Sequence, residues 1–468
     1  MADLDGLLAT YRGFAPGILK VVRSGKRILV VTHIDSDGLC SGSIVFASLM
    51  RKGANVTIRA VPDLDPGTIA ALEKEGYDYY VFTDLGSTLV SELEAALKGR
   101  YLVLDHHQIS EADKGNPVVF NAWTHGFDGG REACSSSMAY FFAVSIDPSN
   151  YDLSPLAVVG ALADRQDSGP GRSLTGLNLS AVEEAQTHGL LAVSKDLMFT
   201  GRETRPIHEA IALTSTPYLK GLTGSKDAVL ALLHQSGLAL KDGGTWRPIS
   251  SLTSDEKMRL TEVIAGALGP AEGATEALAS LVGEAYTFEF EDSFTPLRDA
   301  REFGTLLNAC GRMGTAGTGI SVCLGDRSGA LKTAMETLAE YRSGINRALE
   351  GLTSDPSRIE RHGSVVLVKG EGLVDERLLG PVISILTSSP GFKDKVVVGS
   401  ATSRGADLKI SSRMGDAFVG DVNLGLIMRE EAEAVEGVGG GHAMAAGAKI
   451  PSSRAESFSR AVMERVSA

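Results

Sequence analysis

The sequence predicts an α/β protein: a mainly parallel sheet with helices on both faces, a helical insertion, and a smaller C-terminal α/β domain. Three observations predict it. Short apolar runs alternate with amphipathic segments between residues 27 and 104, the pitch of βαβ units. Three of those apolar runs end in acids or histidines, where open α/β sheets place their ligands. Strand-and-helix alternation returns near residue 364, after a long stretch of mostly helical pattern.

In chain order, Leu7–Ser24 has the period of an amphipathic helix. Arg27–Thr32 reads as a buried strand, followed by His33, Asp35 and Asp37 and a helix over Leu39–Arg51 that stops at Gly53. Strands follow at Val56–Ala60, Tyr79–Thr83 (ending in Asp84) and Tyr101–Leu104 (ending in Asp105, His106 and His107). Between them lie helices around Thr68–Glu75 and Leu89–Leu97. Two more helices fit Glu132–Val144 and Pro155–Ala163, the second leading into Asp164 and Asp167. Glycine, serine and proline interrupt the pattern at Gly169–Gly176, as at a boundary. Ser180–Phe290 then reads as mostly amphipathic helix. Lys332–Leu352 reads as one long helix. Strands at Ser364–Lys369, Val396–Ser400 and Ala406–Ser411, with helices at Glu376–Thr387, Asn423–Glu433 and Ser453–Val466, make the last domain. The organisation expected is 1–178, 179–292, 293–352 and 353–468.

Composition bounds the function. A net charge of −13 argues against a generally basic protein that coats DNA, and the carboxylate excess suits divalent cations. The four cysteines form no CxxC pair, so neither a zinc site nor a disulfide framework is expected, and a reducing cytoplasm is the expected compartment. No basic, apolar leader is read at the N-terminus. The apolar runs are far shorter than the roughly twenty residues that span a bilayer.

In a parallel sheet, Asp35, Asp37, Asp84, Asp105, His106 and His107 lie along one edge, and a helix end adds Asp164. Mixed carboxylate and imidazole ligands without thiolates suit manganese or magnesium. Two ions about 3.5–4 Å apart need a bridging carboxylate, and this supply of ligands matches. Each group also has a local alternative: Asp37 or Ser36 can cap the helix that follows, and Asp84 can cap the next. Arg301, Asn308 and Arg312 lie on an apolar helical background, where arginine forks suit phosphate oxygens as well as an ordinary charged face. Gly437–Gly441 followed by His442 can cradle a phosphate with its amides or form a flexible turn. Arg413 is a further candidate for phosphate.

Asp105–His106–His107, the upstream HIDSDG, Asp84 between them, Asp164 after, and GGGH near the C-terminus resemble the DHH phosphoesterase superfamily. Leu307–Met313, LNACGRM, resembles the LNAxGR-type motif of RecJ nucleases, and the whole is similar to archaeal RecJ-like, GINS-associated nucleases. The resemblance implies a DHH domain with a helical insertion and a DHH-associated substrate-binding domain, working as a metal-dependent exonuclease on single-stranded DNA or RNA, from a strand end, in replication or repair. It implies two Mn2+ or Mg2+ ions. Asp35 and Asp37 would bind one each, Asp84 would bridge them, and His106 would join the second with Asp164 beside it. Asp105 would orient a histidine, and His107 would contact the scissile phosphate or attacking water. His33, a further metal candidate, departs from the pattern of the small members, whose first-motif histidine lies four residues before the first aspartate, not two. Asn308 and Arg312 would hold the nucleic-acid backbone. Arg413, Gly439, Gly440, Gly441 and His442 would hold the strand's phosphates or end. The insertion lies where this group carries a partner-docking element, which implies GINS and the replicative helicase as partners. Two other functions stay open: a phosphodiesterase or phosphatase for oligoribonucleotides or small nucleotides, and a replisome scaffold that binds GINS with little catalysis.

Overall fold

The computed structural model describes residues 2–269, 274–389, 391–403 and 405–467. The chain divides into two compact units, residues 1–211 with 226–337 and residues 212–225 with 338–468.

The first unit is built on a five-stranded parallel sheet. Its strands are β1 (Arg27–His33), β2 (Asn55–Val61), β3 (Tyr79–Thr83), β4 (Tyr101–Asp105) and β5 (Val119–Asn121), in the order β2-β1-β3-β4-β5. One face of the sheet presents Leu29, Val31, Phe82 and Val103 to Ile69, Leu93 and Leu97 of the helices Pro66–Lys74 and Val90–Leu97. The helices Ser135–Ile146 and Ser154–Ala163 are apolar nearly all round and correspondingly buried. Register fixes the edge that matters. Thr32 pairs with Thr83, and Thr83 with Leu104, so His33, Asp84 and Asp105 are the next residues out on three neighbouring strands. The chain leaves β1 towards β2 on one side and returns to β3 on the other. The carboxyl ends of β1 and β3 therefore flank the switch point, where such sheets open a crevice.

The insertion carries the expected helices, among them Gly176–Thr187, Lys226–Gln235 and Ser254–Leu268. It also holds an antiparallel pair that local periodicity does not reveal, β6 (Ala192–Leu197) with β9 (Val282–Thr287), and a short hairpin of β7 (Lys241–Asp242) and β8 (Thr245–Trp246). The partners β6 and β9 lie far apart in sequence, so neither reads as half of a hairpin. Gly169–Gly176 is a turn inside the first unit, closed by Gly169 N–H to Ser173 O and Arg172 N–H to Gly169 O.

The second unit has a mixed sheet of β10 (Ile359–His362), β11 (Val365–Lys369), β12 (Val396–Thr402), β13 (Asp407–Met414), β14 (Val438–Gly441) and β15 (Ala445–Pro451), in the order β10-β11-β12-β13-β15-β14. Val396, Val398 and Ile410 pack with Met428, Phe458 and Val462 of the helices Leu424–Glu433 and Ala455–Ser467. The long helix Gly329–Ser354 contains the division between the units.

The glycine run read as a loop forms the edge strand β14. Close packing explains it. A Cβ at Gly439 would lie 2.1 Å from the Met428 carbonyl oxygen, and one at Gly441 would lie 2.6 Å from Ala446 Cα, whereas Gly440 faces open space. Glycine is what lets the strand lie against the helix Leu424–Glu433. Gly439→Ala should therefore destabilise the second unit by about 1–3 kcal/mol through overpacking, while Gly440→Ala stays within about 0.5 kcal/mol. Chemical denaturation of the two variants side by side checks this, and equal effects would contradict it.

Candidate metal centre

The carboxyl edge of the sheet brings the predicted acids and imidazoles together in three overlapping sets: His33, Asp35 and Asp84; Asp84, Asp105, His106 and His107; and Asp37, His106 and Asp164. In each set the ligand atoms lie within 4.8 Å of one another. Asp84 and His106 are each shared by two sets. Asp84 adopts a left-handed backbone conformation (φ 62°) directly after β3, a region aspartate tolerates better than most residues.

Each group is held by a specific partner. Asp35 caps the helix Ser36–Arg51, with Oδ1 accepting from Gly38 N–H at 2.9 Å. Its Oδ2 lies 2.9 Å from His33 Nδ1. Asp37 lies at the N-terminus of the helix Ser135–Ile146, where Oδ2 accepts from Ser135 N–H at 2.8 Å and Oδ1 from Ser136 N–H at 2.9 Å and from the Ser136 hydroxyl. A helix N-terminus is suited to a carboxylate. Ser135 Oγ donates to Asp84 Oδ1 at 3.0 Å. Asp105 accepts from Ser87 N–H and from the backbone N–H groups of His106 and His107, and at 2.7 Å from His107 Nδ1. His106 Nδ1–H donates to the Gly129 carbonyl, and its Nε2 faces Asp84 Oδ1 at 3.3 Å and Asp37 Oδ2 at 3.8 Å. This is the tautomer that leaves Nε2 for a cation.

Glycines give these groups room. A Cβ at Gly160 would meet Ser136 Oγ at 2.1 Å and Asp37 Oδ1 at 2.5 Å, and one at Gly129 would meet the His106 carbonyl oxygen at 1.9 Å. On the helix Ala300–Arg312, Gly304 faces Ala163, and Gly311 lies where a Cβ would reach 1.7 Å from the Ile34 carbonyl oxygen. Between them Asn308 Oδ1 accepts from Ser36 N–H at 3.0 Å. Gly304, Asn308 and Gly311 share one helical face, and that face lies on the loop that carries Asp35.

The other candidates have varied surroundings. Arg312 is half-buried at the last turn of the same helix. Arg301 is engaged inside the first unit: it pairs with Asp167, donates to the carbonyls of Glu284 and Arg172, and lies over the Tyr286 ring. The same pairing, with Arg172 added, occupies Asp167. In the second unit, Arg413 on β13 donates to Ser384 Oγ, Ser411 Oγ and the Ser412 carbonyl. Gly439, Gly440 and Gly441 lie in β14, and His442 follows, exposed, with its N–H donating to the Ala445 carbonyl. Sequence reading missed Ser135, Ser136, Gly129, Gln166 and Asn178 at the first site. The serine run Ser135–Ser137 at a helix start was the one available signal.

Electrostatics favour a cation. Burial, and then the charge of Asp84, push the Asp37 carboxyl up to about 7 against the pull of His106. Burial alone would lower the histidines, yet the Asp35 charge raises His33, the Asp164 charge and the Asp84 hydrogen bond raise His106, and Asp105 raises His107 to about 9. The cluster thus holds protons where a cation would otherwise balance its charge. Asp84 Oδ2 is buried, has no hydrogen-bond partner and lies 3.5 Å from His33 Nδ1, so a positive charge, a protonated His33 or a bound ion, is needed to offset its burial. The donor sets are oxygen and nitrogen only, and the four cysteines are unpaired thiols outside them. These residues fit one or two hard divalent ions.

A DHHA1 domain profile matches residues 364–468 and a DHH-CID domain profile matches residues 199–273. RecJ of Thermus thermophilus, a single-stranded-DNA-specific exonuclease, is 26% identical over 218 residues, 43% of this chain and 32% of that protein. Its crystal structure in complex with Mn2+ matches with a TM-score of 0.59 at 18% identity, over 98% of this chain and 55% of that one. The chain carries DHHA1 and DHH-CID domains on a RecJ-like fold. It spans only about half of that crystallised RecJ. CDC45 from Entamoeba histolytica matches this chain with a TM-score of 0.70 at 12% identity, over 98% of this chain and 99% of that one. An uncharacterized protein of Methanocaldococcus jannaschii is 28% identical over 454 residues, 95% of this chain and 94% of that one. Among the described residues, no helix is long and apolar enough to cross a membrane.

Cation uptake by these groups must release protons. In the folded chain Asp37 keeps its proton to about pH 7, whereas an unfolded aspartate loses it near 4. Between those values the folded state holds the extra proton, so this group's contribution to metal-free stability falls as pH rises through the window. The raised histidines act in the same sense above pH 6.5. Mn2+ affinity should therefore rise from pH 6 to pH 8, with proton release visible by calorimetry in buffers of different ionisation enthalpy. A pH-independent affinity without proton release would contradict the assignment.

Proposed function

We propose that the chain is a two-metal phosphodiesterase that removes nucleotides from an end of single-stranded DNA or RNA. The observation that carries this reading is the position of Asp84 between two groups of ligands: its Oδ2 lies 3.5 Å from Nδ1 of His33, in the set with Asp35, and its Oδ1 lies 3.3 Å from Nε2 of His106, which also belongs to the set of Asp37 and Asp164. Asp35 and His33 would hold one ion, Asp37, His106 and Asp164 the other, and Asp84 would join them. When bound, such ions, Mn2+ or Mg2+, supply Lewis acidity and a water of lowered pKa. The chain's own residues do the rest. Asp105 fixes His107 through Nδ1, so a proton given to a phosphoryl or leaving oxygen would come from Nε2. Asn308 holds the loop of Asp35 in place through Ser36. Arg312, Arg413 and Gly439–His442 would bind the phosphates of the strand, and the insertion would dock a replisome partner such as GINS, in a cytoplasmic replication or repair role.

The second reading is a replisome scaffold of weak activity, favoured by the match to CDC45 along nearly the whole of both chains. At 12% identity that match speaks for fold alone, and the retained acids and histidines favour hydrolysis. A third reading confines activity to dinucleotides and trinucleotides.

Asp84→Ala should lower Mn2+-dependent release of nucleotides by a factor on the order of 10³. Preserved activity would contradict the bridging role. End-labelled oligonucleotides of graded length separate the readings: processive loss from one end of long strands supports the exonuclease, activity on two- and three-nucleotide substrates alone supports the third reading, and none at all supports the scaffold. His442→Ala should weaken strand binding while leaving Mn2+ uptake unchanged, and equal loss of both would make its role structural.

A further inference from the structure

Two buried side-chain amides outside the ligand sets connect all three members of one set. Gln166 is fully buried and Asn178 nearly so. Gln166 Nε2 donates to Asp164 Oδ2 at 2.8 Å and to the Gly129 carbonyl at 2.9 Å, with the Ala133 carbonyl at 3.2 Å. The Gly129 carbonyl is the one that accepts from His106 Nδ1–H. Gln166 Oε1 in turn accepts from Asn178 Nδ2 at 2.6 Å, and Asn178 Oδ1 accepts from Cys134 N–H at 3.2 Å. Cys134 caps the helix whose next two residues, Ser135 and Ser136, hold Asp37.

We infer that Gln166 and Asn178 form a positioning pair that sets the affinity of one of the two metal sites, the one made by Asp37, His106 and Asp164. The inference rests on the two-metal reading above. Gln166 fixes the Asp164 carboxylate directly and the His106 tautomer through Gly129. Asn178 ties both to the helix start that holds Asp37. Burying two primary amides is costly unless their donors and acceptors are satisfied. Here they are satisfied by groups that aim ligands. Asp35 and His33, in contrast, are aimed by Gly38 N–H, by each other and by Asp84; Gln166 and Asn178 contact neither, and Ser135 Oγ holds only the shared Asp84. Partners of this kind typically change metal affinity 10–100-fold when removed, and here the loss should fall on one site alone.

The test is Mn2+ titration of the full chain by calorimetry and by electron paramagnetic resonance, which reports spin coupling between paired ions. Gln166→Met keeps the length and removes both functions of the amide. Asn178→Leu removes the support of Gln166 without touching Asp164, and so covers the case in which the first variant fails to fold. The expected result is two Mn2+ per parent chain and, in either variant, one site weakened about 10–100-fold with the other unchanged, and loss of the coupled signal at limiting Mn2+, whatever the lost buried hydrogen bonds do to the metal-free melting temperature. Two unchanged affinities would overturn the inference. So would a parallel loss at both sites, which marks a merely structural role. A parent chain that takes up no Mn2+ would instead overturn the two-metal reading itself, and the inference with it.

Discussion

Crowding of like charge at one sheet edge is the constraint on which the first unit is organised. Asp35, Asp37 and Asp84 come within reach of one another because β1 and β3 end in register beside the switch point. Carboxylates so placed repel, and burial adds to the cost. The fold answers with neutral donors rather than with lysine or arginine. Asp37 has the helix start at Ser135 and Ser136, Asp35 has Gly38 N–H, and Asp105 has three backbone amides. What those donors leave unbalanced falls on protons at Asp37 and the histidines, and a divalent ion can replace those protons. Arg172 and Arg301 pair with Asp167, outside the ligand sets.

The same constraint explains the glycines around the centre. Gly129, Gly160 and Gly311 each lie where a methyl group would strike a carbonyl, a ligand oxygen or the loop after β1. They bring a carbonyl to His106, a helix past Asp37, and the helix Ala300–Arg312 onto Ile34. Asn308 then fastens that helix to the loop of Asp35 through Ser36. The LNACGRM segment thereby contributes to the centre from inside, by shape and by one hydrogen bond, before any contact with substrate is considered.

Much of this was legible in the sequence, for a physical reason. Strands buried on both faces read as continuous apolar runs, so the acids that end them stand out, and a parallel sheet puts those ends on one edge. That is how His33 to Asp37, Asp84 and Asp105 to His107 could be named from the sequence, with Asp164 added by the end of an apolar helix. Neutral supporting residues carry no such mark. Gln166, Asn178 and Ser136 are ordinary polar residues until tertiary packing removes water from them. Strand β5 has three residues, too few for a period, and β6 and β9 find each other only across the insertion. The glycines before His442 look like a loop because strands rarely contain them in a run, and only the helix packed on β14 shows why they are there.

The central claim is that this edge holds two divalent ions joined by Asp84. Anomalous scattering at the manganese edge from crystals grown with Mn2+ tests it most directly. The account predicts two peaks about 3.5–4 Å apart, one on each side of the Asp84 carboxylate, with Asp35 on one and Asp37, His106 and Asp164 on the other. No peak at this edge, or a single peak that leaves Asp84 Oδ2 without a ligand, would contradict it.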